Sequence, residues 1–158
     1  METQSLPATG QSFRRRLSRY LPVILWLTFI SFASTGEFSA DNTSRIIGPL
    51  LLWLFPDISP ERLAFIHFIV RKVAHFTEYA VLAFLAARLF RSSSKSLLRK
   101  NWFAWSILLV ALYALLDEYH QSFVPSRTAS LFDSLIDTIG GLTALLIVNY
   151  RNQQRQKI

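Results

Sequence analysis

The sequence predicts an all-α membrane protein, a bundle of four transmembrane helices with both termini in the cytoplasm. Half of its 158 residues are apolar (51%) and only 17% are charged, whereas about a quarter of a soluble domain is charged. Apolar stretches recur along the chain, and the basic residues concentrate in the segments that separate them. The length fits one domain. The chain has no cysteine, which excludes disulfides and thiolate sites.

The first apolar stretch runs from Tyr20 to Ala33 and follows a basic group of Arg14, Arg15, Arg16 and Arg19. Residues 1–19 are polar and predict a disordered cytoplasmic tail. The stretch itself predicts a short first span, and a cleaved signal peptide is the alternative, since a basic segment, an apolar stretch and small residues follow in that order. Bulky Trp26, Phe29 and Phe32 favour the span.

The next apolar piece, Ile46 to Phe55, has about ten residues, too few to cross a hydrocarbon core of about 30 Å. It predicts a short segment at the membrane interface, between the first and second spans. Ser59-Pro60-Glu61 then has the residues of a helix start: a capping serine, a proline in the first turn and an acid near the positive helix end. This helix is predicted to reach about Phe90, with the second span at Val73 to Phe90.

The third span is predicted at Trp102 to Leu116 and the fourth at Leu131 to Tyr150. The amino-terminal segment, the turn at 88–100 and the tail at 151–158 hold 12 of the 17 Lys and Arg, opposed only by Glu2. The remaining loops and span ends hold 5 basic and 9 acidic residues. The positive-inside rule therefore puts both termini in the cytoplasm of a multi-pass protein of the plasma (inner) membrane. The basic excess indicates contact with anionic lipid and not a nucleic-acid surface.

With this topology, ionisable residues from three separate segments meet at the outer end of the bundle. His67, Arg71, His75 and Glu78 share one helix face because they are spaced by four, four and three residues. Asp133 and Asp137 likewise face one way, and Gly140-Gly141 beneath them allows close approach of another backbone. Charged groups at the edge of an apolar phase are costly, so the pattern predicts an outward-facing polar pocket.

We assign candidate roles in this pocket by residue type. Acid/base chemistry is predicted for His75, Glu78, Asp117, Glu118 and Asp137. Ligand binding is predicted for Arg71, Lys72, Tyr79, His120, Gln121, Arg127 and Asp133, with the cations holding phosphate or carboxylate. No cofactor is predicted. A divalent metal is not predicted either, since no H-E-x-x-H motif accompanies the histidines and carboxylates.

Two further interpretations of the same residues remain open. Charged groups inside membranes are usually paired, so the cluster can be a structural ion-pair network that fixes helix register. The protein can also be an intramembrane enzyme acting on a lipid headgroup, or a scaffold or transport subunit, for which four spans would require oligomers. The sequence does not set the oligomeric state.

Two blocks of the chain resemble the VanZ-like family of small bacterial membrane proteins. They are VRKVAHFTEYAVLAFL (Val70 to Leu85) and DEYHQSFVPSRTASLFDSLIDTIGG (Asp117 to Gly141). The resemblance covers residues 20–150, from the first span to the fourth. The positions that match the family pattern are Arg71, Lys72, His75, Glu78, Tyr79, Asp117, Glu118, Gln121, Arg127, Asp133, Asp137 and Gly140.

The resemblance implies a role in the cell envelope. The family is named for a protein linked to resistance to teicoplanin, a lipid-tailed glycopeptide that attacks cell-wall precursors. Membrane lipids, a lipid-linked cell-wall precursor or a lipoglycopeptide are therefore the expected ligands. One departure is Ser126, where relatives often carry glycine, so a tight turn before Arg127 does not carry over.

Overall fold

A computed structural model describes residues 8–35, 40–125 and 130–157, and every regular element in them is a helix. For residues 8–13, 15, 40–44 and 46 it describes the backbone alone. The elements are α1 (Ala8–Ala33), α2 (Ala40–Leu54), α3 (Pro60–Arg91), α4 (Ser96–Lys100), α5 (Trp102–Gln121) and α6 (Leu131–Arg155). The predicted all-α class is confirmed.

The starts of the three long apolar helices lie where the local sequence signals place them. Ser59 caps α3, its hydroxyl accepting the Arg62 amide at 3.4 Å. Ser130 caps α6 in the same way, with the Phe132 amide 3.2 Å from its hydroxyl. The helix α5 starts at Trp102 as predicted but continues five residues past Leu116, because several polar side chains of its last turns are accommodated inside the bundle.

Among the described residues, three helices are long and apolar enough to cross a membrane: α3, α5 and α6. This supports a multi-pass membrane protein. The helix α1 is not one of the three, so the predicted count of four spans stays a prediction, as does the orientation of the termini. The helix α2 has 15 residues and is about 22 Å long at 1.5 Å per residue, which agrees with a segment too short to cross.

The structure differs from the sequence prediction at the start of α1. The helix begins at Ala8, within the segment 1–19 for which the sequence predicts disorder. Gln11, Leu17 and the arginines from Arg14 to Arg19 are good helix formers, and they extend the helix of the apolar stretch backwards. Residues 1–7 lie outside the described part.

Contacts between helices give their relative directions. Lys72 and His75 of α3 meet Asp133 and Asp137 of α6, so these two helices run in the same direction. The helix α5 runs opposite to both, since Glu118 of α5 meets Ser130 at the start of α6 and Ala114, one turn earlier in α5, meets Ser134, one turn later in α6. All three therefore bring polar residues to the same end of the bundle.

The helix α1 packs against α3 and makes side-chain contacts with α5. The Trp26 indole donates to the carbonyl of Glu78 at 2.9 Å. The Tyr113 hydroxyl donates to the carbonyl of Leu27 at 2.6 Å. About two turns further along α5, Gln121 contacts Ser34, which follows the end of α1. Hence α1 is parallel to α5 and antiparallel to α3, and its carboxyl end lies at the polar end of the bundle.

The opposite half of the bundle has an apolar core that brings the helices close together. A Cβ built on Gly140 would lie 3.1 Å from the carbonyl carbon and Cα of Phe76, and closer still to the Phe76 oxygen. One on Gly141 would lie 2.6 Å from Val110 Cγ1. The predicted close approach at this glycine pair is confirmed. Below it the core consists of small and aliphatic side chains, all buried: Leu82, Ala83, Ala86, Ala87 and Leu145.

Candidate functional site

Five polar side chains from three helices form what we call the core cluster: His75 and Tyr79 of α3, Asp117 and Gln121 of α5, and Asp137 of α6. Tyr79, Gln121 and Asp137 have no exposed surface, and Asp117 is 5% exposed. Their spacing explains the convergence, since His75/Tyr79 and Asp117/Gln121 are both four apart and each pair shares a helix face. The structure thus brings together five of the residues that the sequence singles out.

Short distances connect the members of the core cluster. His75 Nδ1 lies 3.7 Å from Asp137 Oδ1. The Gln121 amide donates to Asp117 Oδ2 at 3.0 Å and lies 3.4 Å from the Ser34 hydroxyl. One ligand atom each from His75, Asp117 and Asp137 lies within 4.8 Å of the others. An imidazole and two carboxylates therefore face one small volume inside the bundle.

Several buried polar atoms of the core cluster have no hydrogen-bond partner in residues 8–35, 40–125 and 130–157. They are both carboxylate oxygens of Asp137, the Tyr79 hydroxyl, Gln121 Oε1 and His75 Nδ1. Buried polar groups in proteins are nearly always paired, and an unpaired one costs about 1–3 kcal/mol. The concentration of these unpaired polar atoms in one place indicates that the cluster is arranged to contact a bound ligand or ion.

Directly above the core cluster lies a second feature, which we call the α3–α6 groove. It is lined by Phe68, Arg71, Lys72, Ser130, Phe132, Asp133 and Ile136 and has a volume of about 440 Å³. Arg71 and Asp133 precede His75 and Asp137 by four residues each, so the groove is one helical turn, about 5.4 Å, from the cluster. The amino terminus of α6 also faces it.

Charge in the groove is positive on balance. Lys72 forms an ion pair with Asp133 and lies over the Phe68 ring, 5.1 Å from its centroid. For Arg71, Nε and Nη2 are buried and have no hydrogen-bond partner within the described part of the chain. The groove therefore presents an arginine fork beside exposed aromatic side chains.

Glu118 has a different role from its neighbour Asp117. Its Oε2 accepts the backbone amide of Ser130 at 2.6 Å and so ties the end of α5 to the start of α6. Adjacent residues on a helix point in different directions, which is why Asp117 enters the core cluster and Glu118 does not. The acid/base role predicted for Glu118 has no contact with the cluster's imidazole to support it.

The remaining candidate residues lie apart from the cluster or outside the described residues. His120 is exposed on α5, so the structure does not bring it into the buried cluster. Glu78 is half-buried and lies one turn below His75 on α3. Its backbone carbonyl accepts a hydrogen bond from the Trp26 indole. Arg127 lies outside the described residues.

The sequence analysis did not single out Ser34 or Tyr113, and it did not predict that Ser130 caps α6. Ser34 is 1% exposed and touches Gln121, but a single serine after an apolar stretch carries no signal of this. Tyr113 packs against Tyr79 with ring centroids 6.5 Å apart. Its position four residues before Asp117 places it on the same helix face, which is the one signal that was available.

These features define a class: a multi-pass α-helical membrane protein with a polar cluster buried between three apolar helices. The family can be named as well. The VanZ/LLP1 family model matches residues 18–151, and the chain belongs to that family. No curated protein and no solved structure matches the chain.

Proposed function

We propose that this VanZ-type protein binds the anionic headgroup of an amphiphile in the α3–α6 groove, at the outer face of the plasma membrane. The observation that carries the proposal is Arg71, whose guanidinium has two buried nitrogens without partners in a groove lined by Phe68 and Phe132. Arginine is suited to bidentate binding of phosphate and carboxylate. The amino-terminal end of α6 adds a favourable dipole for an anion.

The ligand's lipid tail would lie along the apolar surface that continues from the groove. Phe68 is 54% exposed and Phe132 is 77% exposed, and Ile136 extends the same surface. A phospholipid, a lipid-linked cell-wall precursor and a lipoglycopeptide all combine an acidic head with such a tail. Sequestering a lipoglycopeptide or shielding its target is the route by which such binding would contribute to teicoplanin resistance.

Lipid capture tests this proposal directly. The full chain is purified in mild detergent, and co-purifying lipids and precursors are quantified by mass spectrometry. Arg71→Gln should lower the retained anionic amphiphile about tenfold, since a charge-assisted pair is worth about 1.5–3 kcal/mol. Arg88→Gln is the matched control, because Arg88 is an exposed arginine at the opposite end of the same helix. Equal retention by both variants would refute the assignment of the groove.

The proposal includes four spans with both termini in the cytoplasm. Supporting it, α1 runs antiparallel to α3 and reaches the polar end of the bundle through Ser34. Single cysteines can test this because the chain has none. On intact cells, an impermeant thiol reagent should label Ser122→Cys but reach Arg14→Cys and Ser94→Cys only after permeabilisation. Labelling of Arg14→Cys from outside while Ser94→Cys stays protected would show three spans instead.

An enzyme is the second candidate, favoured by the position of His75 and Asp137 one turn beneath the groove. A headgroup held by Arg71 would lie close to the imidazole, which is within reach of acid/base work. Product formation from defined lipids in detergent, lost in His75→Gln and kept in His67→Gln, would establish it. Absence of turnover across phospholipid and polyprenyl-phosphate classes would leave the binding function alone.

A further inference from the structure

The core cluster has the composition and geometry of a metal site. We propose that it binds one divalent transition-metal cation, Zn²⁺ or Mn²⁺, through the imidazole of His75 and the carboxylates of Asp117 and Asp137. This assignment does not depend on the groove or its amphiphile. It contradicts the sequence expectation of no metal, and it rests on three separate observations.

The first observation is the spacing of the donor atoms. Metal–ligand bonds to imidazole nitrogen and carboxylate oxygen are about 2.0–2.2 Å, so two ligands of one ion lie about 3–4.4 Å apart. The distance between His75 Nδ1 and Asp137 Oδ1, 3.7 Å, lies inside that interval and is too long for a hydrogen bond. The third donor, from Asp117, is within 4.8 Å of both. Small side-chain rotations would bring all three onto one ion.

The second observation is the balance of charge. Asp117 and Asp137 are buried at 5% and 0% exposure, and isolated carboxylates in such surroundings are very costly. A protonated His75 would balance the charge of only one of the two carboxylates, and Lys72 of the neighbouring groove is already paired with Asp133. One divalent ion bound to two carboxylates and a neutral imidazole makes the cluster neutral.

The third observation is independent of the three ligands and concerns the atoms around them. The Tyr79 side chain is completely buried and lies next to Asp117 and Asp137, and its hydroxyl makes no well-formed hydrogen bond in the described ranges. Gln121 holds Asp117 Oδ2 through its amide nitrogen. Metal-bound carboxylates are typically oriented by such hydrogen bonds, and a buried hydroxyl facing the ion can hold a bound water.

The donor types narrow the choice of cation. Imidazole with carboxylates and no sulfur suits Zn²⁺ and Mn²⁺, whereas Mg²⁺ and Ca²⁺ prefer oxygen ligands alone. The ligands come from three helices, at positions 75, 117 and 137, so no short motif marks them. This is the physical reason why inspecting the sequence for contiguous patterns does not reveal the site.

Metal binding is tested on the full chain in detergent, in the absence of added amphiphile. After chelator treatment, the protein is reloaded with Zn²⁺ or Mn²⁺, dialysed and analysed for metal content. We expect about one ion per chain. Asp137→Asn and Asp117→Asn should each weaken binding about tenfold or more, because even the loss of an outer contact to a metal ligand costs about 10–100-fold. Asp57→Asn is the matched control, since it changes an exposed carboxylate outside both the cluster and the groove.

A spectroscopic measurement keeps the test decisive if a variant fails to fold. Mn²⁺ bound to unsubstituted protein with ¹⁵N-labelled histidine should show imidazole coupling in pulsed electron paramagnetic resonance. The coupling should persist in His67→Gln and His120→Gln, which leaves His75 as its source. Absence of the coupling, or equal metal content in wild type and Asp137→Asn, would overturn the proposal.

Discussion

Replacing Gly140 with alanine is the sharpest test of how the bundle is packed. The added methyl group would lie 3.1 Å from the carbonyl carbon and Cα of Phe76, nearer than ordinary van der Waals contact. All three atoms that it meets belong to the backbone of α3. No side-chain rotation can relieve the contact, so α3 and α6 must separate.

The expected cost follows from two opposing terms. Overpacking in a tight core costs about 1–3 kcal/mol, whereas replacing glycine by alanine inside a helix gains about 0.5–1 kcal/mol. Gly140→Ala should therefore lower the free energy of unfolding by about 1–2 kcal/mol, and the melting temperature by about 2–8 °C for a chain of this size. The shift should also loosen the contact between His75 and Asp137, which lies on the same interface.

Gly141→Ala provides the matched comparison. Its methyl group meets a side chain, with Val110 Cγ1 at 2.6 Å and Cγ2 at 3.3 Å. Shortening Val110 to alanine makes room, so the double variant Gly141→Ala/Val110→Ala should be more stable than the sum of the two single effects predicts, by about 0.5 kcal/mol or more. The corresponding rescue does not exist for Gly140→Ala, because backbone atoms cannot be shortened.

The assay is thermal unfolding in detergent micelles, followed by tryptophan fluorescence and checked for reversibility. Helix content measured at low temperature shows whether each variant still folds. If Gly140→Ala melts at or above the wild-type temperature, α3 and α6 do not approach as closely as the structure describes. If Gly141→Ala alone is destabilised, the tight contact lies on α5 instead.

Three other contacts give separable predictions, each read from the same unfolding assay. Tyr113→Phe removes a half-buried hydroxyl that donates to the Leu27 carbonyl and should cost about 1 kcal/mol, whereas Tyr150→Phe at an exposed site should cost nothing; equal effects would contradict this. Lys72→Met leaves Asp133 without its ion pair and should cost about 1–3 kcal/mol, most of it recovered by adding Asp133→Asn; no recovery would show that the loss is one of packing. Glu118→Met should cost about 1–3 kcal/mol and speed hydrogen exchange at the capping amide of α6, and Glu118→Gln should retain most of the stability because its amide oxygen still accepts.

Much of the helical framework is predictable because helix starts are local events. Ser59 caps the helix that follows it, and its signal lies within four residues of the chain, whereas the start of α6 is predicted from its apolar stretch and not from the Ser130 cap. The apolar stretches similarly predict α5 and α6 with small errors at their ends. The helical part of 8–19 is different, since whether a basic polar segment folds depends on the helix that it extends.

The site is only partly predictable, because the partner of each charged residue depends on how helices pack. Spacing places His75 and Glu78 on one face, which leaves a pair between them as plausible as any other. The structure instead puts the imidazole beside Asp137 of another helix. His120 has the residue type of a ligand but is exposed, because at about 100° per residue it lies roughly 80° around the helix from the direction that Asp117 and Gln121 share.

The bundle has a polar end, with the core cluster, and an apolar end, with the core below Gly140. This division helps to decide whether the polar cluster is a structural ion-pair network or a binding site. Close packing around Gly140 and the small residues below it holds α3, α5 and α6 together without help from charges. A purely structural polar network would be expected to satisfy its own hydrogen bonds, since half-paired buried groups destabilise a fold. Asp137 instead lies fully buried, and neither of its oxygens has a hydrogen bond within the described residues; its nearest charged neighbour is His75 at 3.7 Å. The apolar half stabilises the fold enough for the polar half to contain donor atoms that have no hydrogen-bond partner. Donor atoms held in a fixed geometry are what the binding of a cation requires.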